Sequence, residues 1–173
     1  MLQKTTLIFS IFISILFAED KISIDDLIKT NYIEENINIE KKSLIFTKDE
    51  AKSIQEAARS KVHSKIVRYY KISNNQEVLG HAILLKQRIR TKNAAILYIV
   101  DVNNTMLGLE IVSFKEPSEY KPNDEWKKIF IGKTSEDTLI AGKDIATISG
   151  ATLSARAISD AARLALAIAT NRL

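Results

Sequence analysis

The middle of the chain most constrains its fold, because it contains four apolar segments rich in β-branched and aromatic residues. These segments are Ile66–Ile72, Val78–Ile89, Ala94–Val102 and Met106–Phe114. An Asn-Asn pair at 74–75 separates the first two segments, and another at 103–104 separates the last two. Asparagine tolerates the left-handed backbone conformations that tight hairpin turns need. The pattern therefore predicts a meander of mostly antiparallel strands.

Helical patterns flank this meander on both sides. Four helices are predicted, at Ser23–Tyr32, Leu44–Val62, Asp124–Ile131 and from near Ser154 to about Asn171. The second has a capping box, with Thr47 as the N-cap and Glu50 three residues later. The order of the elements predicts an α+β fold, a twisted and mostly antiparallel sheet packed with helices, rather than a doubly wound parallel sheet. The last helix is alanine-rich.

The first residues are typical of a secretory signal peptide. Lys4 precedes the apolar, uncharged run Thr5–Ala18, and the chain becomes polar from Glu19. We expect residues 1–18 to be a signal peptide cleaved after Ala18, followed by an N-terminal segment at 19–43 and a domain at 44–173. The expected location is the periplasm. The alternative is a retained anchor that holds the protein in the inner membrane, facing the periplasm.

The composition excludes several kinds of redox centre. The 173 residues include no Cys and two His, which excludes disulfides, covalent c-type haem and Cys-ligated iron–sulfur clusters and leaves little for a metal site. Any redox chemistry therefore needs an organic cofactor. The net charge is +4, but Lys and Arg are interleaved with acids, so no nucleic-acid partner is expected. There is no Gly-rich dinucleotide loop and no Walker A motif.

One short segment before the last helix points to an anion. Ser149-Gly150-Ala151-Thr152-Leu153-Ser154 supplies three hydroxyls and small residues where a helix begins. Helix N-termini present unpaired backbone N–H groups and a partial positive charge, so they suit a phosphate. They also suit an ordinary N-cap, since Ser and Thr are common there for that reason alone. The residues by themselves leave both interpretations open.

The segment at 149–167 resembles the flavinylation segment of the FMN-binding domain family, which includes FMN-bearing subunits of the sodium-pumping quinone reductase and of a related electron-transport complex. The family motif is Ser or Asp, Gly, Ala, Ser or Thr, any residue, then Thr. Similarity extends from about Leu79 to Leu166 and includes Phe114–Pro122 and Phe130–Lys133. The chain thus resembles a small exported member, with 44–173 as the FMN-binding domain.

The resemblance implies FMN as the cofactor, joined by a phosphoester to the hydroxyl at the last motif position. A flavin transferase makes this bond. Here that position is Ser154, where the family usually has Thr. The residues expected at the cofactor are Ser149, Gly150, Ala151, Thr152, Leu153, Ser154, Arg90, Lys92, Glu116, Tyr120 and Trp126.

Some of these residues have a second interpretation. Arg90 and Lys92 occupy alternate positions at a strand end, so both could face a phosphate or a flavin carbonyl, or else act as edge charges that discourage aggregation. Trp126 is more often a core residue than a stacking partner. No residue pair is typical of a dedicated catalytic site.

We therefore expect an electron carrier rather than an enzyme, with a redox partner that is a separate protein, in solution or in the membrane. The alternatives are an FMN-dependent reductase of a small molecule with non-covalent FMN, and a cofactor-free periplasmic binding module. In the last case the motif serves only as a helix cap.

Overall fold

A five-stranded antiparallel sheet forms the centre of the protein. The computed structural model describes residues 23–33, 36–75 and 77–173, so the predicted signal peptide at 1–18 lies outside the described residues. The strands follow one another in sequence order and are β1 (Asn38–Ile45), β2 (Ile66–Asn74), β3 (Glu77–Arg88), β4 (Asn93–Asp101) and β5 (Met106–Phe114). The predicted meander is confirmed.

Four α-helices accompany the sheet, and they are α1 (Ile24–Lys29), α2 (Lys48–Ala58), α3 (Asp124–Lys127) and α4 (Thr152–Arg172). Short 3-10 helices lie at Ser118–Tyr120 and at Lys128–Phe130, directly after α3. The fold is α+β, as predicted. None of the helices among the described residues is long and apolar enough to cross a membrane.

Local sequence signals account for the turns and caps. Asn75 and Asn104 adopt φ angles of 52° and 60°, the left-handed values that the hairpins require. At α2 the predicted capping box is present: the Glu50 backbone N–H donates to Thr47 Oγ1 at 3.2 Å, and the Thr47 N–H donates to Glu50 Oε2 at 2.8 Å. Ser23 caps α1 by accepting from the Asp26 N–H.

The main core lies between one face of the sheet and the layer formed by α2 and α4. Tyr98 in β4 is fully buried, and its hydroxyl donates to the Ile158 carbonyl of α4 at 2.9 Å. Arg163 ties α4 to its surroundings, because its guanidinium donates to the carbonyls of Ala58 and Leu139. These contacts hold α4 against the sheet and against the segments that contain Ala58 and Leu139.

The opposite face of the sheet is partly covered by α1. Ile28 of α1 is fully buried against a second apolar cluster, whose other buried members are Tyr70, Ile72, Ala82, Leu97 and Ile99. The short helix therefore helps to close a face that would otherwise be open to solvent.

The helix predicted at Leu44–Val62 is shorter in the structure and spans Lys48–Ala58. Two further features differ from the sequence-based expectation. β1 was not predicted, and it crosses residue 44, where the predicted domain begins. β1 pairs with β2 from Asn38 to Ile45, so the sheet includes residues assigned to the N-terminal segment. In addition, α4 begins at Thr152 rather than near Ser154. This second difference changes the interpretation of the motif.

Candidate functional site

A tight turn at Gly150 leads the chain into α4. Gly150 has a φ angle of +72°, which L-residues with a side chain adopt at a cost, and a Cβ there would meet nothing within 4 Å. The Ala151 N–H donates to the Ile148 carbonyl at 2.9 Å and closes the turn. Glycine is therefore required here by the backbone conformation and not by crowding. The turn makes Ala151 the residue that precedes the helix.

The first turn of α4 has no side-chain cap. Ala151 is the N-cap residue and has no side chain that could accept a hydrogen bond. Within the part of the chain that the structure describes, the backbone N–H groups of Thr152, Leu153 and Ser154 find no acceptor. Ser154 is the third residue of the helix and does not cap it. A 21-residue helix thus presents its positive end uncapped.

The hydroxyl of Ser154 is buried and unpaired. The residue is 1% exposed, and its Oγ has no hydrogen-bond partner among the described residues. Burying a hydroxyl without a partner is unfavourable, and native structures rarely leave one so without a reason. The unpaired Oγ and the uncapped N–H groups occur in the same helical turn.

Arg90 comes to this helix start from a tight turn between β3 and β4. The Ile89 N–H donates to the Lys92 carbonyl at 3.0 Å, so residues 89–92 form a turn and not a strand end. The expectation that Arg90 and Lys92 alternate along a strand and face one way is therefore wrong. Arg90 lies beside the motif, whereas the exposed Lys92 does not line the same depression.

Glu116 holds this turn in place. Its Oε1 accepts from the backbone N–H groups of Arg90, Thr91 and Lys92 at 3.1, 2.6 and 2.8 Å. These bonds, that from Lys92 first, lower the pKa of the Glu116 carboxyl below its ordinary value, because they stabilise the ionised form. Glu116 is buried and does not line the depression at the motif. Its role is to position Arg90.

Tyr120 forms the other wall of the site. The Arg90 guanidinium lies 4.6 Å from the centre of the Tyr120 ring, a cation–π contact that orients both side chains. Together with residues 150–154 they line an open depression of about 310 Å³, which we call the motif pocket. Every residue that lines it was predicted from the sequence. The structure thus brings together residues that lie up to 64 positions apart, from Arg90 to Ser154.

Trp126 supports the site from the core. Its indole Nε1 donates to the Ala146 carbonyl at 2.7 Å, and its ring contacts Phe130 edge-on at 5.2 Å between centroids. Trp126 is 7% exposed and is absent from the walls of the motif pocket. The structure therefore favours the core interpretation of Trp126. Ser149 is exposed and lies just before the pocket.

The motif pocket combines three features that favour an anion. The start of α4 supplies unpaired N–H groups, Arg90 supplies a fixed positive charge, and Ser154 supplies an unpaired hydroxyl. Backbone N–H groups at a helix start, together with an arginine, are a recurrent way of holding a phosphate. Among the described residues, no group of three His, Asp or Glu side chains is placed to hold a metal.

The comparison with protein families agrees with this geometry. Residues 92–167 match the model of the FMN-binding domain. The match supports the resemblance of this segment to the FMN-binding domain family. FMN is therefore the cofactor of this chain, and the match argues against the cofactor-free alternative. No curated protein matches the chain.

The matched FMN-binding segment contains most of the site but not all of it. It includes Glu116, Tyr120, Trp126 and the whole motif, and it begins at Lys92, two residues after Arg90. The role of Glu116 was missed by sequence reasoning, which placed it at the cofactor. A buried carboxylate that binds three successive N–H groups leaves no signal in the sequence, because its partners are backbone atoms 24 to 26 residues away.

Proposed function

We propose that this protein is an exported electron-transfer flavoprotein that carries FMN on Ser154. The observation that carries the proposal is the buried, unpaired Oγ of Ser154 at the uncapped start of α4. A phosphoester at this oxygen would place phosphate oxygens beside the N–H groups of the first turn and near Arg90. The phosphate oxygens would accept hydrogen bonds from N–H groups that have no partner among the described residues.

The attachment chemistry balances with FAD as the donor. The Ser154 Oγ attacks the phosphorus on the riboflavin side of the pyrophosphate, an Oγ–P bond forms, and the P–O bond to AMP breaks. The hydroxyl proton is released and AMP leaves, so the chain gains one FMN less one water. A flavin transferase is the enzyme that we propose for this step. No side chain of the motif pocket is a carboxylate or a His that could act as the base.

Burial of Ser154 has a consequence for attachment. Because the residue is only 1% exposed, its hydroxyl must become accessible before a transferase can act on it. The first turn lacks a side-chain cap, and helix ends without caps open more readily than capped ones. We propose that the first turn of α4 opens, or has not yet formed, when the bond is made.

Bound FMN would supply reversible redox chemistry, and the protein would supply position and electrostatics. Arg90 and the helix start would hold the phosphate, and Tyr120 would offer an aromatic wall beside it. None of the ionisable side chains that line the motif pocket is placed as an acid–base pair, which favours a carrier over an enzyme. The redox partner is a second protein, in solution or in the membrane.

One experiment separates the carrier from a reductase. Purified holoprotein is reduced chemically and mixed with an artificial electron acceptor, and in a second arm it is mixed with NADH or NADPH and a small-molecule acceptor. A carrier should deliver its electrons once per flavin in the first arm and show no sustained turnover in the second. Sustained turnover without a partner protein would assign the protein as an FMN-dependent reductase instead.

Export is tested on the same preparation. We expect the protein in the periplasmic fraction with a new N-terminus at Glu19. Protein that keeps Met1–Ala18 and sediments with the inner membrane would favour the anchored alternative, and protein confined to the cytoplasm would contradict export.

A further inference from the structure

The sheet divides at one end, where β2 and β3 separate. Their pairing runs from Asn74 with Glu77 only as far as Arg68 with Leu84. β2 continues to Ile66 along β1, and β3 continues to Arg88 along β4. The backbone edge of residues 85–87 that faces β2 therefore has no partner strand among the described residues. Backbone groups without a strand partner are available to a ligand.

A cavity of about 220 Å³ occupies this division. Val67 and Leu85 flank it on the two strands, and Leu164 and Ile168 of α4 close it from the core side. The loop at 62–64 completes the wall. We call this space the strand cleft. Apolar residues line its inner wall, and exposed residues such as His63 and Arg68 line its mouth.

Gln87 is a polar group that faces the strand cleft without a partner. The residue is 9% exposed and lines the cavity, and its side-chain amide makes no hydrogen bond to any described residue. The amide can donate and accept hydrogen bonds, so it is available to a ligand in the cavity.

The rim of the strand cleft is basic. Arg68, Lys86 and His63 line it, and none of the described lining residues is acidic. Neither Arg68 nor Lys86 forms an ion pair with a carboxylate in the described part of the chain. A ligand with one negative charge and an apolar body would match both the rim and the walls.

The strand cleft is separate from the motif pocket. The two share no lining residue. Leu164 is ten residues along α4 from Ser154, which corresponds to about 15 Å of helix. A ligand in the strand cleft therefore does not need the groups that would hold the FMN phosphate.

We propose that the strand cleft binds a small apolar monocarboxylate, with the size of a single aromatic ring. The volume supports this size, since a cavity of about 150 Å³ accepts benzene. The apolar body lies between the separated strands against Val67, Leu85 and Leu164, and the carboxylate meets the basic rim. This proposal is independent of FMN attachment, because it uses no residue of the motif pocket.

The test is a titration of the exported full chain, followed by amide NMR shifts, with three probes. Benzoate carries both features, benzyl alcohol has the ring without the charge, and acetate has the charge without the ring. We expect saturable benzoate binding, with the largest shifts at 62–68 and 84–87. Benzyl alcohol should bind about tenfold more weakly, and acetate should not saturate.

Variants make the result specific. Lys86→Gln combined with Arg68→Gln removes two rim charges and should weaken benzoate about tenfold. Lys48→Gln combined with Lys52→Gln removes two exposed charges on α2 and should leave binding unchanged. Thermal unfolding checks that each variant is folded, and Lys86→Gln alone replaces the double variant if it is not.

Three outcomes would overturn the proposal. They are the absence of saturable benzoate binding, equal affinity for benzoate and benzyl alcohol, and benzoate shifts centred on residues 150–154 instead of the strand cleft. The last result would place the anion in the motif pocket.

Discussion

Replacing Ser154 with alanine should remove covalent FMN and at the same time stabilise the flavin-free protein. A residue that caps a helix destabilises it by about 1 kcal/mol when replaced by alanine. Ser154 is not a cap: it is the third residue of α4, and its buried Oγ has no partner. The substitution should therefore raise the stability of the flavin-free protein while it abolishes flavin attachment.

The expected change in the free energy of unfolding follows from the burial of the Ser154 hydroxyl. Relief of an unpaired buried hydroxyl contributes about 1–3 kcal/mol, and alanine adds up to about 0.5 kcal/mol of helix propensity over serine. The small space left by the missing oxygen offsets part of this. We expect Ser154→Ala to raise the free energy of unfolding of the flavin-free chain by about 1–2 kcal/mol, which is about 2–8 °C in Tm for a chain of this size.

The chain offers a matched control in Ser159. It lies on the same helix, is fully buried, and its hydroxyl is also unpaired, but it does not line the motif pocket. Ser159→Ala should stabilise the protein by a similar amount and leave flavin attachment unchanged. The assay is urea unfolding followed by circular dichroism, with flavin absorbance measured on the same samples. Destabilisation by Ser154→Ala, with stabilisation by Ser159→Ala, would refute the reasoning about Ser154.

Three further predictions concern the surroundings of the motif. Arg90→Gln should weaken non-covalent FMN binding about 10- to 100-fold through the loss of a charged contact to phosphate, while Lys92→Gln, outside the pocket, should have no effect in the same fluorescence titration. The pKa of Glu116 is lowered in the folded state, so its contribution to stability is present above its ordinary pKa and is lost as the pH falls through the lowered folded value. Glu116→Gln should therefore flatten the acid dependence of stability, measured by urea unfolding at about pH 6 and about pH 3; an unchanged acid dependence would contradict the role of the carboxylate. Trp126→Phe should lower the free energy of unfolding by about 1–3 kcal/mol, and a loss of FMN affinity without a loss of stability would show that Trp126 stacks on the ring instead.

The sequence was most informative where structure depends on local signals. The hairpins at Asn75 and Asn104 and the capping box at Thr47 were predicted correctly, because each rests on residues within a few positions of one another. β1 was missed, because an edge strand with both faces largely exposed has no apolar alternation to reveal it. Its pairing with β2 is decided by tertiary contacts.

Seven of the eleven residues expected at the cofactor line the motif pocket, but the sequence did not predict how they are arranged. Serine favours N-caps, so the start of α4 was placed near Ser154, whereas the left-handed turn at Gly150 starts the helix two residues earlier. The contact between Arg90 and Tyr120 joins two loops that follow different strands, and no local pattern fixes such a distance. Glu116 was assigned to the cofactor because its loop resembles the family's flavin-side loop, and its backbone hydrogen bonds leave no signal in the sequence.

The intact mass of the exported protein, produced together with a flavin transferase, tests the central claim most directly. We expect a mass heavier by one FMN less one water, a modified peptide that carries the group on Ser154, and loss of the added mass in Ser154→Ala but not in Ser159→Ala. An unmodified mass for exported protein with Ser154 intact, from cells in which the same transferase modifies a known substrate, would contradict covalent attachment at this residue.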